Sequence, residues 1–197
     1  YWTPSMSFIF GKHKMDIKSM ISYANQSYCD SRSNHLWIDP LINWNWKATI
    51  VSEFSASIGY KNTPLMGKDI YDTPIFTSYR TQRINRGETT ATCSYYATAA
   101  YKYSNPVLGL FLNIRPTYNC IFGNILYESM LNGNVYTMTG TNKEYSMQTV
   151  GVSGRISKTF GWAKTLIGMG VSRNRTDYSL LVSDKVNDAR MSITTAT

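Results

Sequence analysis

A chain of 197 residues is long enough for one domain with a sizeable core and too short for two full ones. Charged residues make up only 16%, against about 25% in soluble domains, while hydrophobic residues reach 43% with 15 Tyr and 5 Trp, so something other than a charged, solvated surface must cover the fold. No window approaches the ~18 consecutive apolar residues of a transmembrane helix and mean hydropathy is −0.28, which excludes a helical membrane protein, while the net charge of +8 is scattered without the single basic stripe of a nucleic-acid binder.

The signal along the chain is period-two alternation, which gives each strand two distinct faces. Strands are expected near 2 to 10 and 15 to 28, where Phe8 and Phe10 on even positions give way, across Gly11 to Lys14, to Met15, Ile17, Ile21 and Tyr23 on odd ones. A third, 36 to 48, sets Ile42, Trp44, Trp46 and Ala48 against Asn43, Asn45 and Lys47. In a fourth, 53 to 62, Phe54, Ala56 and Ile58 keep the same parity, so an odd loop or a bulge between the two must restore register. The fifth, 88 to 103, alternates Cys93, Tyr95, Ala97, Ala99, Tyr101 and Tyr103 with Thr92, Thr98 and Lys102. That exceeds a globular strand of about 5 to 6 residues and suits a tilted membrane strand of ~9 to 11 residues that continues beyond the bilayer. Ser104 to Val107 form a turn cluster that places Tyr103 opposite Leu108 at the head of a sixth strand, 108 to 120. The last three, 144 to 157, 163 to 176 and 188 to 197, include Val150, Val152 and Ile156 facing Ile167, Met169 and Val171.

Connectors alternate between short (11 to 14, 49 to 52, 104 to 107, 158 to 162) and long (29 to 35, 63 to 87, 121 to 143, 177 to 187), the outer-membrane arrangement with its short side periplasmic. The expected fold is therefore all-β: an antiparallel transmembrane β-barrel of the bacterial cell outer membrane, one domain over 1–197, in contact with lipid and lipopolysaccharide. Nine strands leave the first and last running the same way, so the chain is expected to be an incomplete segment completed by strands of the same or another chain. Trp44, Trp46, Tyr101, Tyr103 and Trp162, near strand ends, read as a lipid-interface girdle, the alternative being a soluble sandwich core or a sugar-stacking platform. Asn43, Asn45, Lys47, Thr92, Thr98, Asn113, Arg115, Ser153 and Arg155, with Gly168 and Gly170, would face the lumen, hydrating it or packing a plug. Arg80, Arg83 and Arg86 share the longest loop and could meet lipid phosphates or an anionic ligand, with a merely solvated basic loop as the plainer reading.

No enzyme chemistry emerges, and no catalytic residue, metal or cofactor is expected. His13, between two lysines in a turn, and His35, alone in a loop, lack a partner at metal-ligand spacing. Gly67-Lys68 lacks the earlier glycine of a phosphate loop, and Gly151-Val-Ser-Gly lacks the last glycine of a nucleophile elbow. Asp177, Asp184 and Asp188 punctuate one long loop without Ca²⁺-loop spacing. Cys29, Cys93 and Cys120 are odd in number, have no CxxC pattern and read as free thiols.

The phrases Tyr101-Lys-Tyr-Ser-Asn-Pro-Val-Leu-Gly-Leu-Phe, Asn124-Ile-Leu-Tyr and Gly154-Arg-Ile-Ser-Lys-Thr-Phe-Gly-Trp resemble the barrel of TonB-dependent receptors from Bacteroidetes, over roughly residues 40 to 176. The resemblance implies a plugged barrel that imports nutrients with energy relayed from the inner membrane. This stretch carries neither the family's plug, nor its energy-coupling box, nor its terminal aromatic strand. The alternatives are a scaffold barrel in a surface-lipoprotein or secretion assembly, and a secreted soluble β-sandwich that binds glycans.

Overall fold

In the computed structural model, residues 1–28, 31–63, 73–85, 92–162, 165–182 and 185–197 are described, with side chains for all of these except 24–28 and 31–33. The chain is all-β. Its strands are β1 (Ser5–Phe10), β2 (His13–Tyr28), β3 (Ser31–Lys47), β4 (Ser52–Thr63), β5 (Ile75–Ser78), β6 (Thr81–Asn85), β7 (Thr92–Asn105), β8 (Leu110–Asn132), β9 (Val135–Phe160), β10 (Thr165–Val182) and β11 (Lys185–Ala196). They form one open 11-stranded sheet whose main path is β1-β2-β3-β4-β7-β8-β9-β10-β11, a nine-strand antiparallel meander. Among the described residues the expected count of nine is thus corrected to eleven: the main path holds nine, and the expected loop 63 to 87 contains the β5–β6 hairpin. β6 lies parallel to β9, from Thr81 opposite Tyr136 to Asn85 opposite Gly140.

The other long connectors are corrected too. Most of 29 to 35, 121 to 143 and 177 to 187 is strand, and the ladders of β2 with β3 and β8 with β9 run on to Tyr28 opposite Ser31 and Asn132 opposite Val135. Two-residue turns at Gly11-Lys12 and Gly133-Asn134 close their hairpins with glycine at φ of 56° and 61°, a left-handed conformation that costs other residues a Cβ clash.

Register follows the side-chain pattern, with instructive exceptions. Trp46 faces Phe54 and Lys47 faces Glu53, so five residues separate that last pair, and the odd loop demanded by parity is present. Tyr103 faces Leu112 and not Leu108, because the turn is centred on Pro106 to Gly109: Leu108 donates its N–H to Asn105 Oδ1 at 3.0 Å, and Gly109 sits at φ 62°. Two prolines lie inside strands and lack a ladder donor. At Pro116 the β7–β8 ladder skips from Thr98–Thr117 to Tyr101–Ile114. Beside Pro40 the β3–β4 ladder ends at Leu41–Gly59, and the nine-tenths-buried Asp39 carboxylate accepts from the Asn62 backbone N–H and side-chain amide, both at 2.9 Å.

This sheet has almost no hydrophobic core. Among the described residues only Cys120, Ile125, Leu126 and Leu181 are buried apolar side chains, and no large side chain is fully enclosed.

Candidate functional site: a wall with two unlike faces

Cross-strand register sorts the side chains onto two faces. One face carries Phe8 and Phe10, His13 to Tyr23 on odd positions, Leu36 to Trp46 on even ones, Phe54 to Tyr60, Tyr95 to Tyr103, Leu112 to Phe122, Val150 to Ile156 and Ile167 to Val171. Throughout that stripe there is no Lys, Arg, Asp or Glu. It is also the more exposed face: Ile58 is 63%, Val150 54% and Ile167 61% accessible.

Aromatic rings run along the short-turn margin of the stripe. His13 stacks beside both Trp44 (5.9 Å) and Trp46 (5.4 Å), Trp44 meets Phe54 at 6.2 Å, and Phe54 meets Tyr101 at 6.2 Å. His13 therefore belongs to the ring row and not to a solvated turn; its odd parity, shared with Met15, was the available signal. Tyr60, Tyr95 and Phe122 form a second chain of contacts at 4.8 and 6.0 Å. Along β4 the six steps from Phe54 to Tyr60 separate the two rows by roughly 20 Å of strand. Of the girdle candidates, Trp44, Trp46 and Tyr101 join the first row, and Tyr103 continues the same face. Trp162 lies in the turn after β9, 89% exposed and edge-on to Phe160 at 6.5 Å.

The stripe crosses the hydrogen-bond rows obliquely. The row through His13, Trp46, Phe54, Tyr101, Ile114 and Gly154 starts at the stripe's short-turn margin and ends at Val171, its opposite margin. The row through Ile17, Ile42, Ile58, Ala97, Tyr118 and Val150 runs mid-stripe and leaves it at Arg175. The drift is about one residue of ~3.3 Å for each ~4.8 Å step between strands, equivalent to strands tilted by roughly 35° to the band.

The opposite face is polar. All eleven lumen candidates lie on it: Asn43 pairs with Asp16 and Ser57, Asn45 with Lys14 and Ser55, Lys47 with Glu53, Thr92 with Thr63, Thr98 with Ser57 and Thr117, Asn113 with Lys102 and Arg155, Ser153 with Arg115, Gly168 with Ser157, and Gly170 with Arg155. A depression of about 510 Å³ gathers Asp16, Asn43, Asn45, Thr98, Arg115 and Thr117. Asp16, which accepts from Ser7 and pairs with Lys14 at 3.2 Å, and Tyr96, whose ring lies over Gly59, are polar-face residues that the sequence reading did not single out. Parity alone would have found Asp16.

Of the three loop arginines, Arg80 is in the β5–β6 turn, 5.6 Å from the Tyr79 ring, and Arg83 is in β6 with its guanidinium 3.8 Å over Tyr127. Arg86 lies outside the described residues, as do Cys29, Asp184 and Gly67-Lys68. His35 is in β3, stacked on Trp37 at 5.7 Å, and not in a loop. Asp177 and Asp188 are in β10 and β11: Asp177 accepts from Arg190 at 2.6 Å and Arg175 at 3.1 Å, and Asp188 accepts from Ser179 at 3.2 Å. Arg190 and then Arg175 hold the Asp177 carboxyl below its ordinary value of 3.8. Cys93 and Cys120 are free thiols, and no cluster of metal-ligating side chains occurs among the described residues.

Compared with family models, curated proteins and solved structures, the chain finds no match.

Proposed function

We propose that this chain is a non-enzymatic wall segment of a bacterial outer-membrane β-barrel, lipid outside and water inside, in an importer of nutrients like the TonB-dependent receptors. One observation carries the membrane reading: an uncharged apolar stripe crosses every main-path strand from β2 to β10, is the more exposed face, and is bordered by aromatic rows. In water, leaving so many large side chains uncovered would forfeit about 25 cal/mol per Å² of apolar surface; in lipid it costs nothing. The oblique drift supports the same reading, because strands in a closed barrel must tilt. A soluble sandwich needs a second layer over this face, and among the described residues none exists.

Along the main path strand direction alternates, so β1 and β11 run the same way and could meet only in parallel. Bacterial single-chain barrels have even strand counts, so an odd number of further strands, from the same or another chain, completes the wall. The importer role rests on the turn and strand phrasing quoted above. A plug and surface lipoproteins are the partners that this role implies.

The decisive experiment is fractionation of producing cells. The protein should remain with the outer membrane through carbonate washing, enter solution only with detergent, and co-elute with a species that supplies the missing strands. Release without detergent would overturn the membrane reading. A complete assembly whose loss leaves nutrient uptake unchanged would overturn the importer and leave a scaffold barrel.

A further inference from the structure

We propose that Lys102, Arg115 and Arg155 form an anion-binding rung on the polar face, taking the phosphate or carboxylate groups of an acidic small solute. This rests on reading that face as a water-filled lumen wall.

Charge on the polar face is unevenly divided. Its carboxylates in the wall, Asp16, Asp39 and Glu53, all sit on β2, β3 and β4, and the first two are held by named partners. Lys14 pairs with Asp16 at 3.2 Å, Asn62 donates to Asp39, and Glu53 stands in register between Lys47 and Lys102. From β7 to β10, by contrast, the polar face carries Lys102, Arg115 and Arg155 and, among the described residues between the short turns and the irregularity at Gly123–Ile125, no carboxylate.

Register brings the three together. Asn113 lies directly between Lys102 and Arg155, and Arg115 is two residues further along β8 on the same face, a diagonal neighbour of both. Diagonal sheet neighbours are about 7–8 Å apart, within which like charges repel. Two carboxylates lie near them, and each is shared with a lysine: Glu53, in register with Lys47, and Asp16, which lines the same depression as Arg115 and pairs with Lys14 at 3.2 Å. Neither arginine has an ion pair or side-chain hydrogen bond among the described residues, both are exposed, and their neighbours Asn113, Ser153 and Ser157 are small and neutral. Two guanidinium forks and an ammonium held this way match the geometry of carboxylate and phosphate oxygens. Backing by small neutral groups, where the other half of the wall uses fixed carboxylates, suits a counter-ion that exchanges.

The test places a thiol inside the rung, at Ser153→Cys, in intact outer membranes bearing the whole assembly. Val152→Cys on the apolar face is the reference, and the unsubstituted chain, with Cys29, Cys93 and Cys120, is the blank. Modification rates are compared for a sulfonate and a trimethylammonium methanethiosulfonate. At Ser153→Cys we expect both to react, with the sulfonate favoured about ten-fold over its ratio for a free small thiol. Inorganic phosphate should slow the reaction, and the preference should collapse in R115Q/R155Q and at about 1 M salt, where the screening length falls to ~3 Å. If the double variant fails to assemble, Lys102→Gln should lower the preference about three-fold.

Reaction at Ser153→Cys without anionic preference, a preference that survives R115Q/R155Q, or no protection by phosphate would each overturn the rung and leave the wall reading standing. Reaction at Val152→Cys with none at Ser153→Cys would sink both.

Discussion

The wall and the outer β8–β9 hairpin are one continuous ladder held together in different ways. In the wall, strands are joined by backbone hydrogen bonds, and the large apolar side chains stay on the surface. Beyond the irregularity between Gly123 and Ile125, β9 carries one residue more than β8, which breaks the parity that defines the two faces. There the sheet begins to bury side chains: Ile125, Leu126, Asn85 and Thr137 are all under 10% exposed. β10 stops pairing with β9 at Met147, and β6 takes up part of the edge thus vacated, tied by Gln82 to Thr137 at 2.7 Å and by Arg83 over Tyr127. If the wall's apolar face meets lipid, as proposed, it has no need to be buried, whereas a sheet that projects into water must build a core and cover its edge.

The sharpest way to break this comparison is to put one charge in each region. Ile58→Lys sets an ammonium mid-stripe, where the cost should be about 2–4 kcal/mol if the surroundings are hydrocarbon. Met130→Lys, on the outer hairpin and 56% exposed, should change stability by less than about 0.5 kcal/mol. Urea unfolding in vesicles, followed by heat-modifiable gel mobility, measures both; equal effects would remove the distinction between the regions.

Glycines offer the next contrast. A Cβ at Gly59 would lie 2.4 Å from the Tyr96 ring, so Gly59→Val should overpack the wall by about 1–3 kcal/mol. Shortening the partner in the double variant with Tyr96→Ala should recover part of that loss. Gly133, at the hairpin tip, has open space but φ of 61°, so Gly133→Ala should cost about 1 kcal/mol through the backbone alone, with nothing for a second substitution to rescue. The same unfolding assay separates the two patterns.

A smaller effect should stay confined to the outer region. Arg83→Gln removes the cation from the Tyr127 ring, a contact worth about 1 kcal/mol. The β5–β6 hairpin should then be cut by protease at lower concentration, with wall unfolding unchanged. Simultaneous loss of the wall would show that β6 supports more than the edge it covers.

The same division governs how much could be read from the residues. Along the main path each strand shows one apolar and one polar face, and that alternation disclosed the main strands and all eleven polar-face candidates. Parity fixes which face a residue occupies but not how far a strand has slid by pairs. Tyr103 was therefore placed on the correct face opposite the wrong leucine, and only the Asn105–Gly109 turn geometry decides the register. Beyond the irregularity at Gly123–Ile125 the parity of the two faces is broken, and 121 to 143 read as loop. The parallel pairing of β6 with β9 joins residues 55 apart, such as Gln82 and Thr137, and no local pattern encodes it.

The last contrast concerns charge and should give the smallest signal. Asp177 lies beyond Val171, where the stripe has ended, bridging Arg175 of its own strand and Arg190 of β11. These partners hold its carboxyl below 3.8, so the carboxylate contributes to β10–β11 cohesion above that pH, and the contribution fades as pH falls through the depressed folded value. In hydrogen exchange, amides of β10 and β11 next to Asp177 should therefore lose protection, relative to wall amides in the same sample, as pH drops from 5 to about 3. Asp177→Asn should flatten that dependence and leave protection at neutral pH only slightly reduced, since the pair is exposed and well screened. An unchanged acid response in Asp177→Asn would place the sensitivity elsewhere, and a response shared equally by wall amides would mean that the outer strands and the wall open as one unit.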